Sequence, residues 1–174
     1  MKASFKLFMI RHRNFTSSLS NMPLIRTQKL NDSKDNEWEM DEFETSVKMS
    51  SYLVAFVVSN FESISQNSTK YNIRVEVSGR KEQIRNGDGK FALDEASRIL
   101  DFYTDLYDVK YPLKKSTQIA IPDFNAGAME NWGLVTYREK YLLFNPNVDS
   151  IFNKKRITVV VAHELAHQWV KAKF

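Results

Sequence analysis

His163-Glu164-Leu165-Ala166-His167 is the stretch that decides how the last part of this chain folds. Two histidines four residues apart lie on one face of a helix, so both imidazoles can reach a single zinc ion. Glu164 points toward the same side, where it could act as general base toward a water molecule, a pattern typical of metallopeptidases. A catalytic zinc usually has three protein ligands, and this helix supplies two of them. A lone histidine is more often an ordinary core or surface residue, but the five-residue pattern favours a zinc site.

The segment around this motif is predicted to form one helix over residues 155–169. Its run Ile-Thr-Val-Val-Val at residues 157–161 is a poor intrinsic helix former and, taken alone, also fits a strand. The helical prediction depends on the length of the apolar stretch and on the spacing of the two histidines. Burial of the apolar face would have to override the weak propensity.

The rest of the chain predicts β-structure first and mixed structure later, with a boundary near residues 70–80. A polar connection is expected at residues 31–36 and a turn at Asn86-Gly87-Asp88-Gly89. Apolar residues at helical spacing predict a helix over residues 91–107. Residues 52–58 form a near-continuous apolar run, which predicts a strand buried on both faces. Further strands are predicted around residues 5–9, 71–77, 118–121, 134–137 and 141–144.

Composition excludes several classes of protein. The 43% hydrophobic and 13% aromatic content of the 174 residues is enough for a buried core. The net charge of +4 is spread along the chain in short groups, so no nucleic acid partner is expected. No apolar run is long enough for a membrane segment. The absence of cysteine excludes disulfides and leaves the redox compartment open.

A second motif, Gly127-Ala128-Met129-Glu130-Asn131, is a candidate substrate-binding edge. The glycine and alanine leave the backbone free of bulk, so an extended peptide can come close. The Glu130 carboxylate beside that path can hold a free α-ammonium group and so place only the first peptide bond at a metal. A turn with an exposed glutamate explains the same spacing, and the motif alone does not decide between the two interpretations.

Together the two motifs resemble the zinc aminopeptidases of the aminopeptidase N and oxytocinase type, which include the endoplasmic reticulum aminopeptidases. The similarity includes Gly-Ala-Met-Glu-Asn-Trp-Gly at residues 127–133 and His-Glu-Leu-Ala-His-Gln-Trp at residues 163–169. It also includes residues 20–23, 48–56, 121–124 and 136–139, and it extends from Met1 to about Trp169. Lys114 and Thr117 depart from it, since the family usually has proline and aspartate there.

The resemblance implies an α+β chain in two partial domains. Residues 1–75 would be the C-terminal part of the family's N-terminal β-saddle domain. Residues 76–174 would be the first part of a thermolysin-like (gluzincin) catalytic domain. The part contained in this chain would end just after the zinc-binding helix. The site residues implied for one Zn²⁺ and a peptide with a free N-terminus are the metal ligands His163 and His167, the general base Glu164, and the substrate-binding residues Gly127, Ala128, Met129, Glu130 and Asn131.

The family's third zinc ligand and its transition-state tyrosine fall beyond residue 174. The resemblance therefore implies an incomplete ligand set and an inactive 174-residue chain. The alternative interpretation is a non-catalytic truncated isoform that interacts or competes with the full-length enzyme, which makes a full-length homologue a possible partner. Full-length relatives are plasma-membrane, luminal or extracellular proteins, and less often cytosolic ones, so the compartment of this chain stays open.

Overall fold

The structure is a computed structural model that describes residues 2–30 and 37–173, with side chains as far as Trp169. The polar connection predicted at residues 31–36 lies outside the described residues. In the described part of the chain the helices α1 to α3 are Lys81–Arg85, Lys90–Tyr107 and Ile151–Lys173. The strands β1 to β12 in the same residues are Lys2–Ala3, Phe8–His12, Ser17–Ser20, Leu24–Lys29, Trp38–Phe43, Met49–Ser50, Phe56–Ser59, Glu62–Asn67, Arg74–Gly79, Lys115–Ile121, Ala128–Met129 and Leu134–Arg138.

A five-stranded sheet in the order β11-β12-β10-β9-β8 forms the framework of the second half. Strands β9, β10 and β12 run parallel to one another, whereas β8 and β11 are antiparallel edge strands. The three central strands carry near-continuous buried runs. Several of the buried residues are polar: Ser78, Lys115, Ser116, Thr117, Gln118 and Thr136. The strands predicted near residues 71–77, 118–121 and 134–137 are confirmed, and the sheet leaves β11 at its edge.

The first half forms three small antiparallel sheets, with strand orders β1-β6, β2-β5-β4 and β3-β7. The mixed helix and sheet content agrees with the expected α+β class. The predicted division between residues 75 and 76 stays a prediction. It falls inside β9, which pairs with β8 over its full length in one sheet.

Helix α3 packs on α2 and buries one stripe of its surface. The stripe consists of three residues spaced four apart, and each is 0% exposed: Ile157, Val161 and Leu165. Burying each such side chain contributes about 1.5–3 kcal/mol, which outweighs a propensity cost of about 0.5 kcal/mol per β-branched residue. The predicted helix over residues 155–169 is therefore confirmed, and it begins earlier, at Ile151.

The end of α3 is anchored by Trp169. Its indole Nε1 donates a hydrogen bond of 2.8 Å to the Val109 carbonyl, and the rings of Tyr103, Tyr107 and Tyr111 lie 5.6–6.0 Å away. The Tyr103 hydroxyl donates to the carbonyl of Ala162, one residue before His163. These contacts fix the helix segment that carries the histidines. No helix within residues 2–30 and 37–173 is long and apolar enough to cross a bilayer.

Two predicted strands are wrong. Residues 52–58 are not one strand buried on both faces: Ser51–Leu53 is a 3₁₀ turn, and in β7 the side chain of Phe56 is 62% exposed. The Asn21 side chain causes the break, because its amide bonds the Leu53 carbonyl at 2.8 Å and the Ala55 N–H at 2.9 Å, which removes both groups from a strand ladder.

The strand predicted at residues 141–144 is also absent. Glu139–Tyr141 is a 3₁₀ turn, and the amides of Leu142 and Leu143 both donate to the Glu139 carbonyl. The segment is apolar because the side chains of both leucines are buried in the core. Its backbone is irregular and belongs to no sheet.

Lys115 is a buried lysine that joins the two halves of the chain. Its Nζ donates hydrogen bonds to the carbonyls of Ser20 at 2.5 Å and Gly133 at 2.8 Å, and to the Thr117 hydroxyl at 3.1 Å. Burial lowers the pKa of Lys115 to about 7, and the nearby Glu76 carboxylate only partly opposes this shift. The lysine therefore ties β10 to the end of β3 and to the segment before β12.

The depressed pKa of Lys115 predicts that the free energy of unfolding increases as pH rises above 7. The pKa of an unfolded lysine is about 10.4, so between pH 7 and that value the unfolded chain binds more protons than the folded one. The penalty for burying the charge is complete below pH 7 and fades at higher pH. In urea unfolding, we expect the stability difference between Lys115→Met and the wild-type chain to change by on the order of 2 kcal/mol between pH 7 and pH 9.

The exposed neighbour Lys114, which pairs with Glu44, offers a matched control. Lys114→Met should shift stability by a similar amount at every pH in this range. If the curves for Lys115→Met and the wild type run parallel, the lowered pKa is wrong.

Candidate active site

Helix α3 presents the two histidines and the glutamate of the motif at one place. The Nε2 atoms of His163 and His167 lie 3.2 Å apart, with ring centroids 4.8 Å apart and ring planes nearly perpendicular. Glu164 is buried, His167 is half-buried and His163 is exposed. The neighbouring Leu165 turns into the core and holds this face of the helix in position. The i, i+4 spacing therefore brings both ring nitrogens to one point, as expected of a helix.

The second motif forms the edge of the five-stranded sheet. Ala128 and Met129 constitute β11 and pair antiparallel with Tyr137 and Thr136 of β12. The carbonyl of Gly127 accepts a hydrogen bond of 2.9 Å from the Arg138 amide. A Cβ atom at Gly127 would lie 3.3 Å from the Tyr141 ring, so the glycine allows this close approach. The opposite edge of β11 pairs with no other described strand.

The structure brings the two motifs together at Glu130. Ligand atoms of Glu130, Glu164 and His167 all lie within 4.8 Å of one another. His163 joins this group through its 3.2 Å contact with His167. Two carboxylates and two imidazoles from a sheet-edge loop and a helix thus converge, although more than 30 residues separate the motifs along the chain.

The nitrogen pair has the spacing that a zinc ion requires. Zinc–nitrogen bonds are about 2.0–2.1 Å long, so two nitrogens 3.2 Å apart subtend roughly 100° at a shared ion, which is near the tetrahedral angle. Imidazole nitrogens and carboxylate oxygens are also the ligand types that zinc accepts. The residues present therefore fit a zinc ion.

Asn131 differs from the other residues of its motif, because its side chain faces inward. Its Oδ1 accepts a hydrogen bond of 3.2 Å from the Thr136 hydroxyl, and its Nδ2 lies 3.5 Å from the Leu53 carbonyl. The residue is 7% exposed. In this structure Asn131 supports the loop that carries Glu130 from within.

Tyr137 forms part of the buried floor beneath the site. Its hydroxyl donates a hydrogen bond of 2.8 Å to Oε1 of Gln118. Burial, and next the negative charge of Glu164, raise the pKa of Tyr137 well above its usual value. The phenol therefore stays neutral, and it brings no second negative charge close to Glu164.

Sequence reasoning missed three residues that hold the loop between Glu130 and Gly133. Gln168 bonds the Gly133 amide and the Glu130 carbonyl, Asn21 donates to the Trp132 carbonyl at 2.7 Å, and Lys115 donates to the Gly133 carbonyl. Asn21 and Gln168 lie within the segments that resemble the family, but nothing in their spacing indicates a contact with this loop. Lys115 gives no signal of burial, since lysine is usually exposed.

Known protein families match most of the chain, and they agree with the resemblance that the two motifs indicate. The Peptidase M1 N-terminal domain matches residues 1–53, and the Peptidase family M1 domain matches residues 91–171. Aminopeptidase N of Oryctolagus cuniculus is 50% identical over 169 residues, and aminopeptidase N of Homo sapiens is 47% identical over the same length. Endoplasmic reticulum aminopeptidase 1 of Homo sapiens is 46% identical over 168 residues.

Each of these alignments covers 97% of this chain but only 17% of the relative, so the chain spans about a sixth of the length of the curated proteins it matches. Within that span the two matched domains occur in order, and both site motifs lie inside the second of them. The chain therefore belongs to the M1 peptidase family.

Proposed function

We propose that this chain forms part of the active site of a zinc-dependent aminopeptidase, which hydrolyses the N-terminal residue from peptides. One observation carries the proposal: the ligand atoms of Glu130, Glu164 and His167 lie within 4.8 Å of one another, with the His163 nitrogen 3.2 Å from that of His167. A base, an amine-binding carboxylate and a metal-binding pair are thus placed close enough to act on a single peptide bond.

His163 and His167 would hold the zinc ion through their Nε2 atoms. A bound zinc ion supplies Lewis acidity, which polarises a carbonyl group and lowers the pKa of a water molecule toward neutrality. The helix keeps the two nitrogens at their spacing through the buried residues on its opposite face, Val161 and Leu165. The protein therefore offers zinc a pair of ligands that needs little rearrangement.

Glu164 would take the proton from the attacking water and pass it to the leaving amine. Its side chain is 6% exposed, and a carboxylate in such a place competes with little bulk solvent. Because it lies between the two histidines on α3, it reaches the same point as their ring nitrogens.

Glu130 would accept hydrogen bonds from the α-ammonium group of the substrate. A carboxylate and an ammonium group form a charge-assisted contact, which is about twice as strong as a neutral hydrogen bond. The edge of β11 would meanwhile bind the substrate backbone as an added strand, past the small residues Gly127 and Ala128. Only a peptide whose N-terminus reaches Glu130 then has its first peptide bond at the metal.

We also propose that residues 1–75 belong to a β-saddle domain and residues 76–174 to a thermolysin-like catalytic domain. The order of the two matched family domains supports this division. For the 174-residue chain alone we propose binding without measurable turnover. Catalytic zinc usually has three protein ligands, and the described site offers it two imidazoles. In this proposal Glu164 acts on the water and Glu130 binds the amine, so neither serves as the third ligand.

Binding of alanine hydroxamate tests this proposal without requiring turnover. We expect the zinc-loaded chain to bind the free-amine compound at least tenfold more tightly than N-acetylalanine hydroxamate in isothermal titration calorimetry. Glu130→Gln should reduce that preference to about twofold, because a neutral amide loses the charge-assisted contact. Equal affinity for both compounds in the wild-type chain would refute the role of Glu130 and the aminopeptidase assignment with it.

A further inference from the structure

Gln168 connects the zinc-binding helix directly to the loop that carries Glu130. It follows His167 in α3 and is 1% exposed. Its Oε1 accepts a hydrogen bond of 3.2 Å from the Gly133 amide, and its Nε2 donates one of 3.3 Å to the Glu130 carbonyl. A single side chain thus bonds both ends of the segment from Glu130 to Gly133.

The two contacts require a primary amide. The Gly133 amide can only donate and the Glu130 carbonyl can only accept, so the side chain must offer one acceptor and one donor about one amide group apart. Glutamate has the same shape but brings a carboxylate oxygen against the Glu130 carbonyl. Methionine has a similar length and offers neither strong hydrogen bond. The neighbouring polar atoms also fix which end of the amide faces which partner.

The same segment is held from the other side by the first half of the chain and by the sheet. Asn21 donates to the Trp132 carbonyl at 2.7 Å, and Lys115 donates to the Gly133 carbonyl at 2.8 Å. These bonds fix the segment relative to the sheet, whereas those of Gln168 fix it relative to α3. The spacing between Glu130 and the histidines therefore depends on Gln168, because the path from the Glu130 backbone to His167 contains one hydrogen bond and one peptide link.

We propose that Gln168 is a positioning residue, which holds Glu130 at the distance from His163 and His167 that makes the site select a free α-ammonium group. This inference deepens the proposed function and depends on it. In a peptide the α-nitrogen and the first carbonyl carbon are two bonds apart, so the carboxylate and the metal must be spaced to match. A displacement of about 1 Å at such a site costs on the order of 100-fold in a reaction that needs the aligned geometry.

Amide hydrogen exchange of Gly133, followed by NMR, tests the contact itself. In Gln168→Met we expect the Gly133 amide to exchange at least tenfold faster relative to a core amide such as that of Val77 in β9. In Gln168→Glu the acceptor remains, so Gly133 should keep its protection. Gln66, which bridges β8 to α2 through Leu93 and Ser97, provides the matched control, and Gln66→Met should leave Gly133 unchanged. Unchanged exchange at Gly133 in Gln168→Met would overturn the inference.

The preference for alanine hydroxamate over its N-acetyl form tests the consequence. Both Gln168→Met and Gln168→Glu should lower the preference from at least tenfold to below about threefold, while zinc affinity stays within about threefold of wild type. A merely structural role would change stability and leave this ratio intact. If the wild-type chain shows the preference and Gln168→Met retains it, the role of Gln168 is wrong and the proposed function stands. If the wild-type chain shows no preference, the proposed function fails and the role of Gln168 fails with it.

Discussion

His167→Ala is expected to weaken zinc binding by more than about 100-fold. Loss of a group that only supports a metal ligand typically costs about 10- to 100-fold in affinity, so loss of one of two imidazole ligands should cost more. The two Nε2 atoms lie 3.2 Å apart, and the remaining ring alone cannot fix the position of the ion. His163→Ala should cause a loss of similar size, because both nitrogens serve the same site.

Competition with a chromophoric zinc chelator measures the change. The third histidine of the chain, His12, provides the matched control: it lies on β2 and its Nε2 bonds Glu37 at 2.6 Å. His12→Ala should leave zinc affinity within a factor of about three, and circular dichroism should show that each variant keeps its helix content. If His12→Ala and His167→Ala bind zinc with equal affinity, the metal site does not lie on α3.

Helix α3 shows how far the sequence alone could lead. The spacing of His163 and His167 predicts a helix, whereas the β-branched run at residues 157–161 also fits a strand. The structure resolves this conflict through the complete burial of Ile157 and Val161. Such burial depends on a partner surface, here α2, which no local pattern reveals. The motif was therefore a better guide than propensity.

The parts of the site that could not be predicted depend on side chains with distant backbone partners. Asn21 interrupts the apolar run at residues 52–58 from 32 residues away and bonds the Trp132 carbonyl from 111 residues away. Gln168 reaches Gly133 and Glu130 across 35 and 38 residues. Asparagine and glutamine are common on surfaces, so residue type and periodicity do not distinguish these two from solvated ones. The chemistry-bearing residues were visible in the motifs, and the residues that position them were not.

Gly133→Ala is expected to destabilise the chain by about 3 kcal/mol or more. Gly133 has φ +80°, a conformation that costs other residues about 1–2 kcal/mol. An added Cβ would also lie 2.4 Å from the Asn21 carbonyl oxygen and 2.8 Å from Cδ1 of Leu113. The oxygen belongs to the backbone, so the segment itself must move, and the bonds of Gly133 to Gln168 and Lys115 lengthen with it.

Gly87 separates these two costs. Its φ of +88° is similar, but an added Cβ there meets nothing within 4 Å. Gly87→Ala should therefore cost only about 1–2 kcal/mol in urea unfolding, and the difference between the two variants measures the clash at Asn21. Because Gly133 lies three residues after Glu130 in the segment that Gln168 holds, Gly133→Ala should also reduce the preference for a free amine. If both glycine variants lose the same stability, the Asn21 backbone does not pack closely against Gly133. Contacts with α3 and the sheet would then be what positions this loop.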